Sequence, residues 1–167
     1  MPERASRVLD VGAGTGADAA WLADRGHHVV AVEPTRALRL PGMERHPSPR
    51  IEWLDDSLPD LVATRRTARI FDLVMMTAVW MHLDRRERAI AMPHLACLLG
   101  PGGLLLMSLR HGSVPPGRRM FDVAAGETVE LAQAHGFREI FRLRAPSVQT
   151  LNRRSGVEWT WLALVRN

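Results

Sequence analysis

Val8-Leu9-Asp10-Val11-Gly12-Ala13-Gly14-Thr15-Gly16 is the stretch that decides how this chain is read. An apolar run carries an acidic residue near its end, glycine then occupies alternate positions, and a helical pattern opens at Ala17. That order describes a buried strand, a tight turn and the first turn of a helix. Glycine admits backbone angles closed to other residues, so the chain turns sharply and a ligand can approach the main chain. The turn also sits at the positive N-terminal end of the following helix. Nucleotide and dinucleotide folds share such a turn, so the residues around it must separate them.

Outward from the turn, strands and helices alternate. Residues 6–11 read as a first strand, apolar and almost without alternation, which predicts burial on both faces. The helix behind it spans 17–25, with Gly26 placed to stop it. A second buried strand over 29–32 ends at Glu33-Pro34. A short helix over 36–43 is expected next, then a loop rich in proline through Pro41, Pro47 and Pro49. A third strand at 51–54, a helical turn or two at 61–66 and a fourth strand at 71–76 follow. Residues 85–99 have helical spacing with Pro93 expected as a kink. Gly100-Pro101-Gly102-Gly103 predicts a turn before a fifth strand at 104–109. A helix over 125–135 closed by Gly136, a sixth strand at 140–143 and a seventh at 157–165, antiparallel to its neighbour, complete the chain. The alternation predicts one doubly wound α/β domain over residues 1–167, with a mostly parallel seven-stranded sheet and an antiparallel last strand.

Composition agrees with a single soluble domain: 167 residues, 46% hydrophobic and 24% charged. All 22 basic residues are arginine, scattered along a chain of formal net charge +4, so a dedicated nucleic-acid surface is not expected. The single cysteine, Cys97, excludes an internal disulfide and is expected as a small buried side chain in an apolar helix. No apolar run approaches the ~18 residues of a membrane span, and the N-terminus lacks the apolar core of a signal peptide. A cytoplasmic location without membrane attachment is the expectation.

Glu33 ends the second strand 17 residues after Gly16, where an acidic side chain in such folds accepts hydrogen bonds from ribose hydroxyls. A nicotinamide dehydrogenase shares that much. Other features separate the two. The turn is G-x-G-x-G, Asp10 precedes it, Asp55-Asp56 ends the third strand, and the last two strands read as an antiparallel addition. With neither Tyr nor Lys in the chain, a Ser-Tyr-Lys hydride-transfer set is closed.

The sequence resembles the class I S-adenosylmethionine-dependent methyltransferases. The resemblance rests on Val8 to Gly16, Val30-Ala31-Val32-Glu33-Pro34, Asp55-Asp56-Ser57-Leu58-Pro59, Phe71-Asp72-Leu73-Val74 through Met81-His82-Leu83, and Leu99 to Gly103, and it covers residues 6 to about 110. It implies a Rossmann-like methyltransferase fold and S-adenosylmethionine as cofactor. Asp10 and the turn of Gly12, Ala13, Gly14 and Gly16 would hold the methionine end and the ribose side. Glu33, with Pro34 beside it, would bind the ribose hydroxyls. Asp56, or Asp55, would accept from the adenine amino group, with Ser57 adjacent. Thr77 and Ala78 would line the methionine portion, with His82 close by. The residues themselves leave Glu33 readable as a solvated strand end, and Asp55 and Asp56 as a helix cap.

In such enzymes the cofactor supplies the activated carbon, and the protein positions the acceptor and removes its proton where needed. His82 and His111 are the imidazoles beyond the fourth and fifth strands, each readable as a base or as a structural histidine. Arg110 and His111 are candidate substrate contacts, Arg110 toward an anion. Trp80 is a candidate acceptor-pocket wall or a packed core residue. No metal-ligand set is assigned. The first motif begins six residues in, so no N-terminal lid is expected over the cofactor. Thr77-Ala78-Val79-Trp80 stands where enzymes methylating exocyclic amines of bases carry Asn/Asp-Pro-Pro-aromatic. The expected activity is methyl transfer to a small-molecule acceptor. The alternatives are a nicotinamide oxidoreductase and a non-catalytic module that binds S-adenosylmethionine. Without a lid, the acceptor pocket is expected from the loops at 80–82 and 111–119, or from a second copy in a homodimer. The 111–119 loop is expected to be poorly packed on its own.

Overall fold

A computed structural model describes residues 4–167 of the chain. The apolar runs form strands β1 Arg7–Val11, β2 His28–Val32, β3 Ile51–Leu54, β4 Phe71–Met76, β5 Leu99–His111, β6 Phe137–Pro146 and β7 Glu158–Arg166. They make one sheet in the order β3-β2-β1-β4-β5-β7-β6. β1 to β5 pair in parallel, and β7 runs antiparallel to both β5 and β6. The expected doubly wound α/β sheet with an antiparallel last strand is therefore the observed one.

Successive residues of β1 point to opposite faces and both faces are covered, which is why its sequence hardly alternates. Leu9 and Val11 pack with Val32, Val74, Leu105 and Met107 on the side of helices α4 (Arg85–Leu98) and α5 (Ala125–Gln133). Val8 packs with Val29, Ala31, Leu73 and Met75 on the side of α1 (Ala17–Asp24), through Ala19, Leu22 and Ala23. Each fully buried Leu or Val of this kind stabilises the fold by ~1.5–3 kcal/mol. Three further α-helices are α2 Arg36–Arg45, α3 Val62–Arg66 and α6 Thr150–Arg154.

Helix α4 begins at a reciprocal cap. The Asp84 carboxylate accepts from the Glu87 N–H at 2.8 Å, and the Glu87 carboxylate accepts from the Asp84 N–H at 2.8 Å. Arg88 on this helix is buried and staples two loops, donating to the carbonyls of Leu83 (3.0 Å) and Asp122 (3.1 Å).

Several expectations are corrected. Pro41 lies inside α2, so the loop rich in proline starts only after Arg45. Gly100 to Gly103 do not precede β5 but bulge within it. Phe71 pairs with Leu99 and Leu73 with Leu104, so the intervening residues of β5 are looped out against a single residue of β4. Cys97 is exposed, because it falls off the stripe of Ala91, Met92, Leu95, Ala96 and Leu98 that faces the sheet. β6 is longer than expected, and the short helix α6 was not anticipated. One face of β6 carries Glu139, Arg142 and Arg144 in ion pairs, while Phe141 and Leu143 on the other face stay about half exposed. Among the described residues, no helix is long and apolar enough to cross a membrane.

Candidate functional site

The parallel strands deliver their loops to one edge of the sheet, the usual place for ligands in such folds. There, a cleft of about 410 Å³ opens between the ends of β1, β2 and β4. Gly12 and Gly14 line it from the first loop, Glu33, Pro34 and Thr35 from the second, and Asp56, Ser57 and Leu58 from the third. Ala78, Val79, His82 and Leu83 close it from the loop after β4.

Hydrogen bonds show how the sequence builds this edge. The N–H groups of Gly12 and Ala13 both donate to the Val32 carbonyl, at 2.8 and 2.9 Å, and so fold the glycine turn over the end of β2. Gly12 and Gly14 have φ of +73° and +58°, angles that favour glycine. A Cβ at Gly12 would lie 2.5 Å from a methyl of Val79, so the bare backbone there also admits the β4 loop. Glu33 is not a solvated strand end. Its two carboxylate oxygens accept from the Gly14 N–H (2.9 Å) and the Thr35 N–H (2.8 Å), and the residue is only 5% exposed. Each oxygen retains a further lone-pair site for a hydroxyl donor.

Asp10 lies beneath the turn. It is 2% exposed, and one of its carboxylate oxygens has no hydrogen-bond partner. Burial, followed by the nearby charges of Asp18 and Glu33, raises its pKa from 3.8 to about 7. Asp10 is not among the residues lining the cleft; its carboxyl sits behind them, under the glycine turn.

The other expected site residues divide. Asp56 lines the cleft and also caps: one oxygen accepts from the N–H and the hydroxyl of Thr64, both at 2.7 Å, and the other from the Ser57 N–H at 3.0 Å. The cap reading of Asp56 is thus visible in its bonds, and the same side chain stands in the cleft wall. Asp55 does not line the cleft; it is exposed and pairs with Arg39 of α2 at 2.6 Å. Ala13 and Gly16 lie outside the lining, Ala13 holding β2 through its N–H and Gly16 packing against Trp53. Ala78 lines the cleft with φ +59°, its N–H held by the Ser108 hydroxyl at 2.9 Å. Thr77 instead faces an adjoining cavity.

His82 lines the cleft and donates from Nδ1 to the Arg119 carbonyl at 2.9 Å. A carbonyl only accepts, so Nδ1 carries a proton, and in the neutral ring the lone pair falls to Nε2. His111 is not brought to the cleft. It points to the other side of β5, within 2.7 Å of the Thr160 hydroxyl. Burial and the Arg144 charge lower its pKa, against the opposing influence of Asp122 and Glu158. Trp80 is no pocket wall. Its side chain is fully buried in the core, with an indole N–H that has no partner. Arg110 lines a separate hollow with Met81, Met120 and Phe121, and donates to the Gly112 carbonyl at 3.2 Å.

The loop after β5 is mostly exposed over 112–119, as expected, and is fastened at its far end. Arg119 donates to the His82 carbonyl at 2.8 Å and pairs with Glu87 at 2.9 Å, and the Phe121 N–H donates to the Met81 carbonyl at 2.8 Å. Sequence reasoning missed Thr35, Leu38 and Val79 as lining residues. The glycine at position 12 was the one signal for Val79, since a missing Cβ asks what fills its place.

These residues fit S-adenosylmethionine. Glu33 has spare acceptor sites that would suit ribose hydroxyls, Asp56 has acceptor capacity that would suit an amino group, and Asp10 sets a carboxyl beneath the turn. A pyrophosphate would face the same carboxylates with repulsion.

Comparison with known proteins agrees. The model of a methyltransferase-domain family matches residues 1–164. An uncharacterized methyltransferase of Mycobacterium tuberculosis (strain ATCC 25618 / H37Rv) is 37% identical over 112 residues, 63% of this chain but 40% of the relative. The chain thus spans well under half the length of that relative. An uncharacterized methyltransferase of Bacillus cereus (strain ZK / E33L) is 26% identical over 164 residues, covering 94% of this chain and 72% of its own length. Among solved structures, 1,6-didemethyltoxoflavin-N1-methyltransferase of Burkholderia thailandensis, with 1,6-didemethyltoxoflavin and S-adenosylhomocysteine bound, has a TM-score of 0.75 at 22% identity, over 98% of this chain and 72% of that one. The N-methyltransferase NodS of Bradyrhizobium japonicum WM9, in complex with S-adenosylhomocysteine, has a TM-score of 0.76 at 17% identity, over 97% of this chain and 79% of that one. The structural likenesses show the shared fold. The family match runs along nearly the whole sheet, through the glycine turn and its acidic rim, and by it the chain belongs to the methyltransferase-domain family, whose cofactor is S-adenosylmethionine.

Proposed function

We propose that this chain binds S-adenosylmethionine across the cleft at the ends of β1, β2 and β4 and transfers its methyl group to a small-molecule acceptor. The observation that carries the reading is the glycine turn closed over two buried carboxylates, Asp10 and Glu33, one with a free oxygen and one with spare acceptor sites. When bound, the cofactor supplies a methyl group activated on a sulfonium. Glu33 holds the ribose, Asp56 the adenine edge, and Asp10 the charged methionine end. Val79 and Leu83 give the cleft apolar walls that exclude water from the reacting carbon. His82, the one histidine among the described residues lining the cleft, stands on the cofactor side and is held in place through Nδ1. The small-molecule reading draws on the solved neighbours, one of which has 1,6-didemethyltoxoflavin bound.

Calorimetric titration with S-adenosylhomocysteine and with NADH tests the cofactor. Micromolar binding of the first and none of the second is expected, and tighter binding of NADH would sink the reading. Following S-adenosylhomocysteine formation during incubation with S-adenosylmethionine and a metabolite mixture separates an enzyme from a non-catalytic binding module. No turnover above a no-acceptor control would favour the module.

A further inference from the structure

A second cavity, of about 250 Å³, adjoins the cofactor cleft, and Ala78 lines both. Trp159 and Trp161 lie two residues apart on β7 and so share one face of the sheet. They line the cavity together with Thr77, Ser108, Pro146 and Gln149. Ser108 is the register partner of Trp161, which sets the hydroxyl and the indole side by side. No side chain lining this cavity is ionisable, which is unusual in a chain where 24% of residues are charged.

Its polar atoms are already partly committed. The Ser108 hydroxyl accepts from the Ala78 N–H at 2.9 Å, and the Ser147 hydroxyl accepts from the Gln149 N–H at 3.3 Å. The Gln149 carbonyl accepts from the Asn152 amide at 2.7 Å. What remains free are hydroxyl and amide donors, with a spare acceptor site on each hydroxyl. Two indoles with donors at the rim suit a flat ring with acceptor atoms on its edge. A charged group would be desolvated there with no counter-ion in the lining, since Arg110, the register partner of Trp159, lines another hollow.

Proton transfer is the second constraint. An alcohol, or an amine protonated at neutral pH, needs a base at the reacting atom. His111 lies on the opposite face of β5, bonded to Thr160, and His82 lines the cofactor cleft but not this cavity. The acceptor must bring its own lone pair.

We infer that the cavity over Trp159 and Trp161 takes the methyl acceptor, and that the acceptor is an uncharged planar heteroaromatic whose reacting atom is a ring nitrogen. This rests on the cofactor reading above. The nitrogen lone pair forms the N–CH3 bond as the S–CH3 bond breaks, and that bond's electron pair passes to sulfur. The positive charge moves to the ring and is discharged by loss of an N–H proton to water where the ring carries one.

The test is a titration of the whole chain with quinoxaline, a neutral planar diazine, followed by tryptophan fluorescence in saturating S-adenosylhomocysteine. Benzoate, planar but anionic, is the comparison. Saturable quenching by quinoxaline is expected, with benzoate binding weaker by about tenfold or more. Trp161→Ala should weaken quinoxaline by about tenfold or more, whereas Trp161→Phe, which keeps a ring, should stay close to wild type. Benzoate binding as tightly as quinoxaline would overturn the inference on the wild-type chain alone, whether or not the alanine variant folds. So would unchanged quinoxaline affinity in a folded Trp161→Ala. Calorimetry with S-adenosylhomocysteine on the same samples keeps the two readings apart. Cofactor binding with no saturable quinoxaline binding removes the acceptor inference only, and no cofactor binding removes both.

Discussion

Asp10 and Glu33 are both buried carboxylates, but their surroundings set them different tasks. Asp10 keeps its proton up to about pH 7 in the folded chain, against 3.8 without burial. Between those values the folded state binds the extra proton, so stability falls as pH rises through that window and levels off above it. The slope cannot exceed ~1.4 kcal/mol per pH unit for one group. Asp10→Asn cannot ionise, so urea unfolding at about pH 5 and pH 8 should show a smaller decline and a more stable variant at the upper pH. A cation placed beside Asp10 by the cofactor favours the ionised form, so binding S-adenosylmethionine below pH 7 should release a proton, measurable by calorimetry in buffers of different ionisation enthalpy. Glu33 is instead an organiser of backbone. Glu33→Ala would strand the N–H groups of Gly14 and Thr35, costing ~1–3 kcal/mol of stability as well as cofactor affinity. Glu33→Gln keeps one acceptor and should lose less stability than affinity. At this scale the sequence was a good guide to identity and a poor one to surroundings. The acidic residue after β2 could be picked out by position, yet its burial depends on a turn folding back over it from the preceding strand.

Elements show the same division between local pattern and tertiary context. Helix α1 and the strands could be recognised because periodicity and glycine stops are local, whereas Pro41 reads as a loop signal and sits in a helix. Arg39 of that helix offsets the cost: it donates to the Glu33 carbonyl at 2.5 Å and pairs with Asp55, tying α2 across the ends of β2 and β3. Asp55 and Asp56 are neighbours in sequence, and only the backbone between them decides that one meets Arg39 and the other the cleft. The contact at Trp53 was equally illegible, since it joins three separate segments. A Cβ at Gly42 would lie 2.6 Å from the Trp53 ring and 3.1 Å from the backbone of Thr15, and a Cβ at Gly16 would lie 2.7 Å from the same ring. Alanine is the better helix former by ~1 kcal/mol. Gly42→Ala should nonetheless destabilise the chain by ~1–3 kcal/mol, because the added methyl overpacks this junction. Adding Trp53→Phe should recover part of the loss, and a double-mutant cycle from urea unfolding would read the coupling. Simple additivity would show that α2 and the glycine turn are not wedged together.

The molecule as a whole follows from strand direction. The parallel strands β1 to β5 and their loops fixed the cleft edge, and that much was readable from alternating helix and strand patterns. The half-bare face of β6 was not readable, because alternation marks an apolar face without saying what lies against it. The antiparallel β7 has a further geometric consequence. Val165 pairs with Leu104 near the start of β5, whereas Glu158 pairs with His111 at its end, so the last strand runs away from the cleft. Arg166 is fastened there, donating to the Leu99 carbonyl at 2.6 Å, and the Asn167 N–H donates to the Gly136 carbonyl at 2.9 Å. β1 starts from that same far edge, since its C-terminal end opens into the glycine turn. A linker attached at either end of the described chain therefore leaves the protein on the side away from the ligand. Tethered to a sensor chip through its C-terminus, the protein would face its cleft toward the flowing solution. Its affinity for S-adenosylhomocysteine on the chip should match that measured in free solution, whereas tethering through the exposed Val148, engineered to cysteine in a Cys97→Ser background, should lower the affinity for quinoxaline by crowding the mouth of the second cavity beside Gln149.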